Sequence, residues 1–466
     1  MTDIPSSSSY ISKLPSEVLS DVLELVVVWE YRRFPRFFKD EPPRYPNYLS
    51  EVCVFWHKTV LDTPALWSYI DLVASGDKMT AFYARATHFL KLSCSAPLSI
   101  LVHGRYSLLP ANTESACRWL TPLINRICSL ELLREAPPEV PDLVLKYWFE
   151  RGTPGVLKEL LFQSQSMTPR TLKSDSSAGS EPNVTGLAPR RMRELFQPII
   201  SLSLSGLFPH WDSQAYSGVA HLSLSNGFIS EGQLATMLSN IPRLQTLSLD
   251  LEMKKTLLLN DTAQTLVQIP SLETLNLHTN VHNRDLLRTV LKLLVPGLRP
   301  LKVYFSIDDT QLEQILRDEE IDMFFQRSRI NRLYITLRVP GKVTSRQILG
   351  STNKTPHLRA IHLAAGSFSE QPYRREINIT YPQLNELTLS FCDVYQETLE
   401  PLLDALSPQT LRLSDCAFWS STTQKHTERK HFVQKLARRV PNVACHGSED
   451  ETYLIDPLDL WDYIYF

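Results

Sequence analysis

The feature that most constrains the fold is an eight-residue pattern that recurs along the chain. Four segments read P-x-L-x-x-[LI]-x-L, and they lie at residues 242–249, 270–277, 356–363 and 382–389. At this composition, chance supplies roughly 0.1 to 0.2 matches in the whole chain. Such repetition predicts a solenoid, because one short unit cannot bury its apolar face without stacking against its neighbours.

A relaxed form of the pattern, apolar-x-x-apolar-x-apolar, continues through the second half of the chain. After earlier starts at 127 and 157, its matches begin at 199, 219, 244, 272, 298, 330, 358, 384, 408 and 440. Between them, Glu231–Asn240, Asp285–Leu294 and Asp309–Arg317 carry apolar residues at the spacing of amphipathic helices. The chain resembles the leucine-rich-repeat family, so we expect an α/β fold, an irregular solenoid of strand–turn–helix units.

The resemblance extends to the residue beyond each strand. Leucine-rich repeats place Asn or Cys three residues after the last strand leucine, where Asn280, Cys392 and Cys416 stand in this sequence. The resemblance implies that this side chain satisfies backbone amides at the turn leaving the strand. The two cysteines are therefore expected to be structural rather than reactive.

Residues 10–72 have a different pattern, typical of a small helical module. Pro15 suits the first turn of a helix, and Glu17 complements its positive end. An apolar stripe follows, made of Val18, Leu19, Val22, Leu23 and Val26. A second helix is predicted from about Tyr48 to Leu61, with Val52, Phe55 and Trp56 as its apolar residues and Thr63-Pro64 as its end.

This module resembles the F-box of a large group of fungal proteins, which reads roughly L-P-x-E-[IV]-L, a spacer, L-S-x-V-C-x-x-W, and T-P-x-L-W-x-x-I-x-L. The matching segments begin at Leu14, Leu49 and Thr63. The resemblance implies docking on the Skp adaptor subunit of an SCF-type cullin–RING ubiquitin ligase, with apolar anchors buried in a groove of the partner. The contact residues carried over are Leu14, Pro15, Val18, Leu19, Val22, Val52 and Cys53. The same hydrophobic residues also suit the core of a small helical domain, and the long proline-rich spacer at 30–47 departs from a compact F-box.

A second binding surface is expected on the repeats, where residues between the strand leucines point away from the core. In the leucine-rich-repeat family this is the concave face. The middle positions of six strands are read as Asn276, Lys302, Tyr334, His362, Thr388 and Arg412, and flanking columns contribute Asp250, His278, Tyr304, Arg332 and Glu386. The mixture of aromatic, cationic and hydrogen-bonding groups suits a protein-binding patch. An unknown protein substrate is therefore expected at Asn276, His278, Lys302, Tyr304, Arg332, Tyr334, His362, Glu386 and Arg412, and the alternative is an ordinary hydrated surface.

These patterns divide the chain into four parts. Residues 1–9 are expected to be a disordered tail, residues 10–72 the F-box module, and residues 73–447 the solenoid, with a disordered Ser/Thr/Pro-rich insertion at about 163–190. Residues 448–466 combine acidic and aromatic side chains. They are expected either to cap the end of the solenoid, or to reach into its concave face and shape the substrate site.

Composition removes other classes of function. A net charge of −2 with 21% charged residues argues against a general nucleic-acid or membrane-surface binder. The seven cysteines include no C-x-x-C, and the 15 glycines form no phosphate-binding motif. We expect a non-catalytic protein without cofactor or metal, intracellular in the cytoplasm or nucleus, since no signal peptide is recognised.

The leading hypothesis is a substrate-recognition subunit of an SCF-type ligase, which raises the local concentration of its target near the conjugating enzyme. The alternative is a leucine-rich-repeat scaffold that binds proteins independently of any ligase. An enzyme is the least favoured class, because no nucleophile, base or cofactor constellation occurs in the sequence.

Overall fold

The chain divides into two compact units, Met1–His210 and Trp211–Phe466. The computed structural model describes residues 14–33, 45–73, 79–103, 113–133, 139–163, 170–172, 189–254, 266–279, 284–307, 318–343, 345–352, 354–368, 381–420, 425–426 and 429–446. The predicted tail at 1–9, Asn280, the predicted helix Asp309–Arg317, most of the predicted insertion and the segment 448–466 lie outside these residues. Among the described helices, none combines the length and apolarity needed to span a bilayer.

The first unit begins with a helical module and continues as a parallel sheet. Its elements are α1 (Ser16–Arg33), α2 (Asn47–Ser50), α3 (Val54–Leu61), β1 (Tyr69–Val73), α4 (Met79–Leu92), β2 (Leu98–His103), α5 (Thr113–Leu120), β3 (Ile127–Leu132), α6 (Glu139–Arg151), β4 (Glu159–Gln163), β5 (Arg170–Leu172), α7 (Pro189–Phe196), β6 (Ser201–Ser205) and β7 (Leu207–Pro209), with short 3-10 helices at Pro64–Trp67 and Thr121–Leu123. Strands β1, β2, β3, β4 and β6 pair in that order, all parallel.

The module and the repeats share a strand. Ile70 and Leu72 belong to the third F-box-like segment, yet β1 lies in register with β2, with Ile70 opposite Ile100 and Leu72 opposite Val102. All four side chains are at most 1% exposed. The last residues of the predicted module are therefore also the first strand of the sheet.

The single helix predicted over Tyr48–Leu61 is wrong. Two helices form instead, because Cys53 takes an extended backbone conformation (φ −163°, ψ 171°) as the N-cap residue of α3. The predicted end at Thr63-Pro64 is confirmed, since α3 stops at Leu61 and a 3-10 helix follows from Pro64.

One part of the predicted insertion is ordered. Residues Arg170–Leu172 form β5, which pairs in parallel with β7. The guanidinium of Arg170 donates two hydrogen bonds to the carboxylate of Asp142, at 2.6 and 2.9 Å. This bidentate pair and the strand ladder fix a segment whose composition alone indicates disorder.

The second unit is a longer series of the same kind of repeat. Its elements are β8 (His221–Ile229), α8 (Glu231–Ser239), β9 (Thr246–Met253), β10 (Val267–Ile269), β11 (Thr274–His278), α9 (Arg284–Leu293), β12 (Leu294–Pro296), β13 (Leu301–Ile307), α10 (Glu319–Arg327), β14 (Ile330–Val343), α11 (Ser345–Thr352), β15 (Ala360–Phe368), β16 (Glu386–Ser390), β17 (Asp393–Tyr395), α12 (Gln396–Leu406), β18 (Thr410–Ser414), β19 (Ala417–Ser420), β20 (Lys425–His426), α13 (Arg429–Leu436) and β21 (Asn442–His446), after a 3-10 helix at Gln214–Tyr216. Strands β8, β9, β11, β13, β14, β15, β16, β18 and β21 pair in this order, all parallel.

A ladder of apolar side chains runs across this sheet and sets its register. Its members are Leu247, Leu275, Val303, Leu333, Ile361, Leu387 and Leu411. Each is at most 1% exposed, so each of these strands buries its leucine, valine or isoleucine against those of its neighbours. The predicted leucine-rich-repeat fold is confirmed by this register.

One predicted repeat start is wrong. The start at Leu298 would place Leu301 in the ladder, but β13 places Val303 opposite Leu275, and Leu298 is 77% exposed. Gly297 lies against the backbone of Pro270 so closely that a side chain there would clash. The chain therefore turns tightly before β13 and directs Leu298 outward.

The exit from the strand ladder is also repeated. Five residues at this point have a left-handed backbone: Gly206, Asn226, Ala365, Phe391 and Asp415, with φ of 74°, 55°, 59°, 54° and 51°. Cys392 and Cys416 follow two of them, and their thiols donate to the carbonyl oxygens of Ser390 and Leu389 at 3.2 and 3.3 Å. The predicted structural role is confirmed, but the predicted partners are wrong, because both thiols hydrogen-bond to backbone carbonyl oxygens rather than to backbone amides.

We expect Leu275→Ala to lower the free energy of unfolding by about 2 to 5 kcal/mol, because it opens a cavity in a fully buried ladder. Leu298→Ala is the matched control and should change stability by less than about 0.5 kcal/mol, since that side chain is exposed. Urea denaturation followed by circular dichroism measures both. A larger loss from Leu298→Ala than from Leu275→Ala would contradict the register.

Candidate functional site

Exposed apolar side chains concentrate in the N-terminal module. Of thirteen large hydrophobic residues that are exposed among the described residues, seven lie between residues 14 and 73: Val18, Val22, Leu25, Tyr48, Val52, Val54 and Leu61. Isolated exposed hydrophobic residues are ordinary on protein surfaces, whereas such a concentration marks an interaction site. The module is therefore one candidate binding surface.

Helix α1 carries apolar residues on two faces. Leu19, Leu23 and Val27 recur every four residues and are at most 3% exposed, so they form the core of the module. Val18 and Val22, which the sequence places in the same stripe, are 45% and 43% exposed. A helix that buries only part of its apolar surface retains an apolar face for a partner.

The seven predicted adaptor contacts are divided between these environments. Leu19 lies in the module core, and Leu14 is half-buried. Pro15, Val18, Val22, Val52 and Cys53 are exposed. Sequence reasoning missed Leu25 and Val54, which are 70% and 87% exposed. The signal for Leu25 was present, since it continues the helical spacing from Val18 and Val22.

Buried polar contacts fix the helices that present this surface. The indole of Trp67 is 2% exposed and donates to the carbonyl oxygen of Val60 at 2.9 Å. It also packs edge-on against Phe89 of α4, with ring centroids 5.0 Å apart. The hydroxyls of Ser20 and Thr63 lie 3.1 Å apart and join α1 to the end of α3. The exposed apolar residues therefore stand on a packed base.

The second candidate surface is the polar face of the second unit's sheet, made of the residues between the ladder leucines. Cross-strand pairing aligns a middle column consisting of Ser248, Asn276, Tyr304, Tyr334, His362, Thr388 and Arg412. The predicted middle position of Lys302 is wrong. Lys302 lies in the flanking column beside Arg332, and Tyr304 takes the middle position, because β13 is shifted by two residues relative to the predicted frame.

Aromatic rings stack along the centre of the polar face. Tyr304 and Tyr334 lie with ring centroids 4.0 Å apart and planes only 9° from parallel, and the ring of His362 follows 5.6 Å from Tyr334. The guanidinium of Arg332 donates to the hydroxyl oxygen of Tyr334 at 3.3 Å. We call Tyr304, Tyr334 and His362 the aromatic ladder. Rigid rings with polar edges are typical of protein-binding centres.

Charged side chains lie next to the aromatic ladder, in a flanking column and on the strands that follow it. Lys302 and Arg332 are half-buried neighbours in one flanking column. Further along, the Arg412 guanidinium lies 2.9 Å from the Glu386 carboxylate, which also accepts a hydrogen bond from Thr388. His278 lies in the other flanking column and is half-buried. The polar face thus brings all nine predicted substrate-site residues onto one side of one sheet.

Asn276 is the most unusual of these residues. It is 1% exposed, and neither its Nδ2 nor its Oδ1 has a hydrogen-bond partner among the described residues. An unsatisfied buried amide costs about 1 to 3 kcal/mol.

His362 is held neutral on the same face. Burial lowers the pKa of His362 to about 4, so its ring is neutral at physiological pH. Its Nε2 lies 3.0 Å from the hydroxyl of Ser390.

The described residues contain no group of three or more His, Cys, Asp or Glu side chains placed to hold a metal ion. Burial raises the pKa of the Cys117 thiol to about 11, which disfavours the nucleophilic thiolate. The two candidate surfaces themselves present apolar, aromatic and charged side chains.

Comparison with known proteins supplies structural neighbours only. No protein-family model matches the chain, and no curated protein matches it. The leucine-rich repeat-containing protein LegL7 from Legionella pneumophila is 14% identical, with 72% of this chain and 96% of that chain covered and a TM-score of 0.37. A chain of the TLR13–ssRNA13 complex is 12% identical, with 81% and 44% covered and a TM-score of 0.36. A chain of the Rad7–Elc1 complex in yeast is 10% identical, with 89% and 92% covered and a TM-score of 0.34.

These likenesses are too distant to carry a functional argument. The fold is assigned from the chain itself: parallel strands in register, buried apolar residues, mostly leucine, that align across them, and a helix after most of them. This is the architecture of a leucine-rich-repeat protein.

The pKa of His362 predicts a pH dependence of stability. An unfolded histidine has a pKa of about 6.5, so the unfolded chain binds more protons than the folded chain between about pH 6.5 and pH 4. The free energy of unfolding should therefore fall, by on the order of 2 kcal/mol between pH 7 and pH 5. In the His362→Gln variant, the free energy of unfolding should not fall by this amount between pH 7 and pH 5. Urea denaturation of both proteins at the two pH values checks it, and identical pH dependence in the two would contradict it.

Proposed function

We propose that this chain is an F-box substrate-recognition subunit of an SCF-type ubiquitin ligase. It docks on the Skp adaptor subunit through the N-terminal module and holds a protein target on the polar face, which corresponds to the concave face of leucine-rich repeats. The chain performs no chemistry itself. It raises the local concentration of the target near the conjugating enzyme of the assembled ligase.

One observation carries the adaptor half of this proposal. Val18, which matches the F-box pattern, and Val22, one helical turn further on, are outside the module core and remain exposed on a helix whose other face is buried. Val52 and Cys53, the second matching pair, are exposed at the break between α2 and α3. An amphipathic helix with an unburied apolar face is the element that inserts into a partner's groove.

The target half is supported by the composition of the polar face. The stacked tyrosines and Arg332 are of the residue types that dominate binding energy at protein interfaces, and Lys302 adds a second positive charge beside them. The proposal that a protein target binds there rests on this chemistry.

The docking proposal predicts the effect of Val18→Asp combined with Val22→Asp. Affinity of the full chain for the purified Skp adaptor should fall about 100-fold or more, because each substitution places a charge in an apolar contact worth about 2 kcal/mol. Both side chains are exposed, so the melting temperature should stay unchanged. Biolayer interferometry measures the affinity.

Leu298→Asp is the control, since it places an aspartate on an exposed apolar residue of the second unit, which is 77% exposed, compared with 45% for Val18 and 43% for Val22. Its affinity should equal that of the native chain within about twofold, as expected for a position outside the interface. Full-strength binding by the Val18/Val22 variant, or no binding by the native chain, would favour the ligase-independent scaffold.

The target proposal predicts two separable defects in cells. Lys302→Glu with Arg332→Glu should abolish capture of the target and leave binding of the Skp adaptor intact. Val18→Asp with Val22→Asp should abolish binding of the Skp adaptor and leave capture of the target intact. Quantitative mass spectrometry of purified complexes identifies a protein that follows this pattern. Its half-life should lengthen in both variants, and a captured protein whose half-life changes in neither would contradict the ligase role.

A further inference from the structure

The polar face is more deeply buried than the face of a sheet should be. In the middle column, Ser248, Asn276, Tyr304 and Tyr334 are 2%, 1%, 7% and 4% exposed. Neighbouring strands lie about 4.8 Å apart, so their side chains cover the flanks of a residue on the face and leave its outer end accessible. Side chains buried to this degree have other groups packed above them.

The face offers its occupant both hydrogen bonds and stacking surfaces. The Asn276 amide has no hydrogen-bond partner among the described residues, so its Nδ2 donor and Oδ1 acceptor match the C=O and N–H of a polypeptide backbone. Tyr304 and Tyr334 form a stack with which further aromatic rings can pack. Lys302 and Arg332 add positive charge beside the stack. A peptide segment with acidic and aromatic side chains complements this surface.

The chain contains such a segment. Residues 447–466 include six acidic residues, no Lys or Arg, and five aromatic residues: Tyr453, Trp461, Tyr463, Tyr465 and Phe466. By comparison, the segments 255–265, 308–317 and 369–380 have formal charges of 0, −2 and 0, counted from the sequence. Of these four segments, 447–466 is the one whose charge and aromatic content best match the polar face.

The segment 447–466 is also long enough to reach the aromatic ladder. It follows β21, which is four strands away from β14 in the sheet. Four strand spacings amount to about 19 Å, and an extended chain covers this distance with about six residues. More than half of the segment remains to lie along the polar face.

We propose that residues 447–466 bind the polar face across Asn276, Tyr304 and Tyr334 as an internal occupant, which a protein target must displace. The contact itself is independent of the proposed function, whereas its role as a regulator of target binding rests on it. The true target is then expected to present an acidic, aromatic segment of similar chemistry. Because the occupant is tethered, its effective concentration is in the millimolar range, so only a tighter-binding target competes.

Site-specific photo-crosslinking of the full chain tests this contact. A benzoylphenylalanine residue replaces Lys302, at the edge of the ladder, and a second protein carries it in place of Ser239, exposed on helix α8. After irradiation, the monomer fraction is digested and the cross-linked peptides are identified by mass spectrometry. We expect cross-links to residues 447–466 from position 302 and none from position 239.

Two further samples establish specificity. Trp461→Ala with Tyr463→Ala in the Lys302-substituted chain should reduce the cross-link at least fivefold, and an excess of a synthetic peptide of residues 447–466 should compete with it. Cross-links from position 302 only to other segments, such as 308–317 or 369–380, would overturn the proposal, as would a cross-link insensitive to both changes.

The outcome is separable from that of the adaptor proposal. The cross-link requires no Skp adaptor, and the Lys302 substitution leaves the N-terminal module untouched. A cross-link in a chain that fails to bind the adaptor would support the internal occupant and remove the ligase role. Adaptor binding without the cross-link would support the ligase role and remove the internal occupant.

Discussion

The buried leucine ladder is the constraint on which the second unit depends. Each strand contributes one residue to a line that runs from Leu247 to Leu411, and each of these residues is excluded from water. Because side chains alternate along a strand, a register that buries this line places every intervening residue on the opposite face. The aromatic ladder and its charged neighbours therefore come into one surface as a consequence of how the leucines pack.

In the N-terminal module, by contrast, one helix has apolar residues both in the core and on the surface. Helix α1 must bury Leu19, Leu23 and Val27 for the module to fold, and it leaves Val18, Val22 and Leu25 in water. Exposed apolar surface lowers solubility unless a partner covers it, so its presence in a packed module indicates an interface. The strand β1 links this module directly to the first repeat, which ties the module to the sheet of its own unit.

Most of the repeat fold could be predicted from the sequence, because its signal is local and repeated. Segments such as Pro270–Leu277 and Pro356–Leu363 correspond to strands whose leucines pair in the structure. The failure at Leu298 has a physical reason. Leu301, Val303 and Phe305 alternate, so the strand also fits a frame two residues later, but Pro300 then stands at the first apolar position and the pattern favours Leu298. Pairing with Leu275 and Leu333 selects the later frame. This error displaced Tyr304 from the middle of the predicted site.

The break between α2 and α3 in the N-terminal module could not be predicted either, since no Gly or Pro marks Cys53. Nor does the sequence distinguish Leu19 from Val18, because packing alone decides which side of α1 is buried.

Calorimetric titration of the full chain with the purified Skp adaptor tests the central claim most directly. An apolar helix face buried in a groove predicts saturable one-to-one binding with a negative heat-capacity change, which is the signature of apolar surface removed from water. The account predicts that binding becomes more exothermic as temperature rises. Absence of binding at micromolar concentrations, or binding without a heat-capacity change, would contradict it.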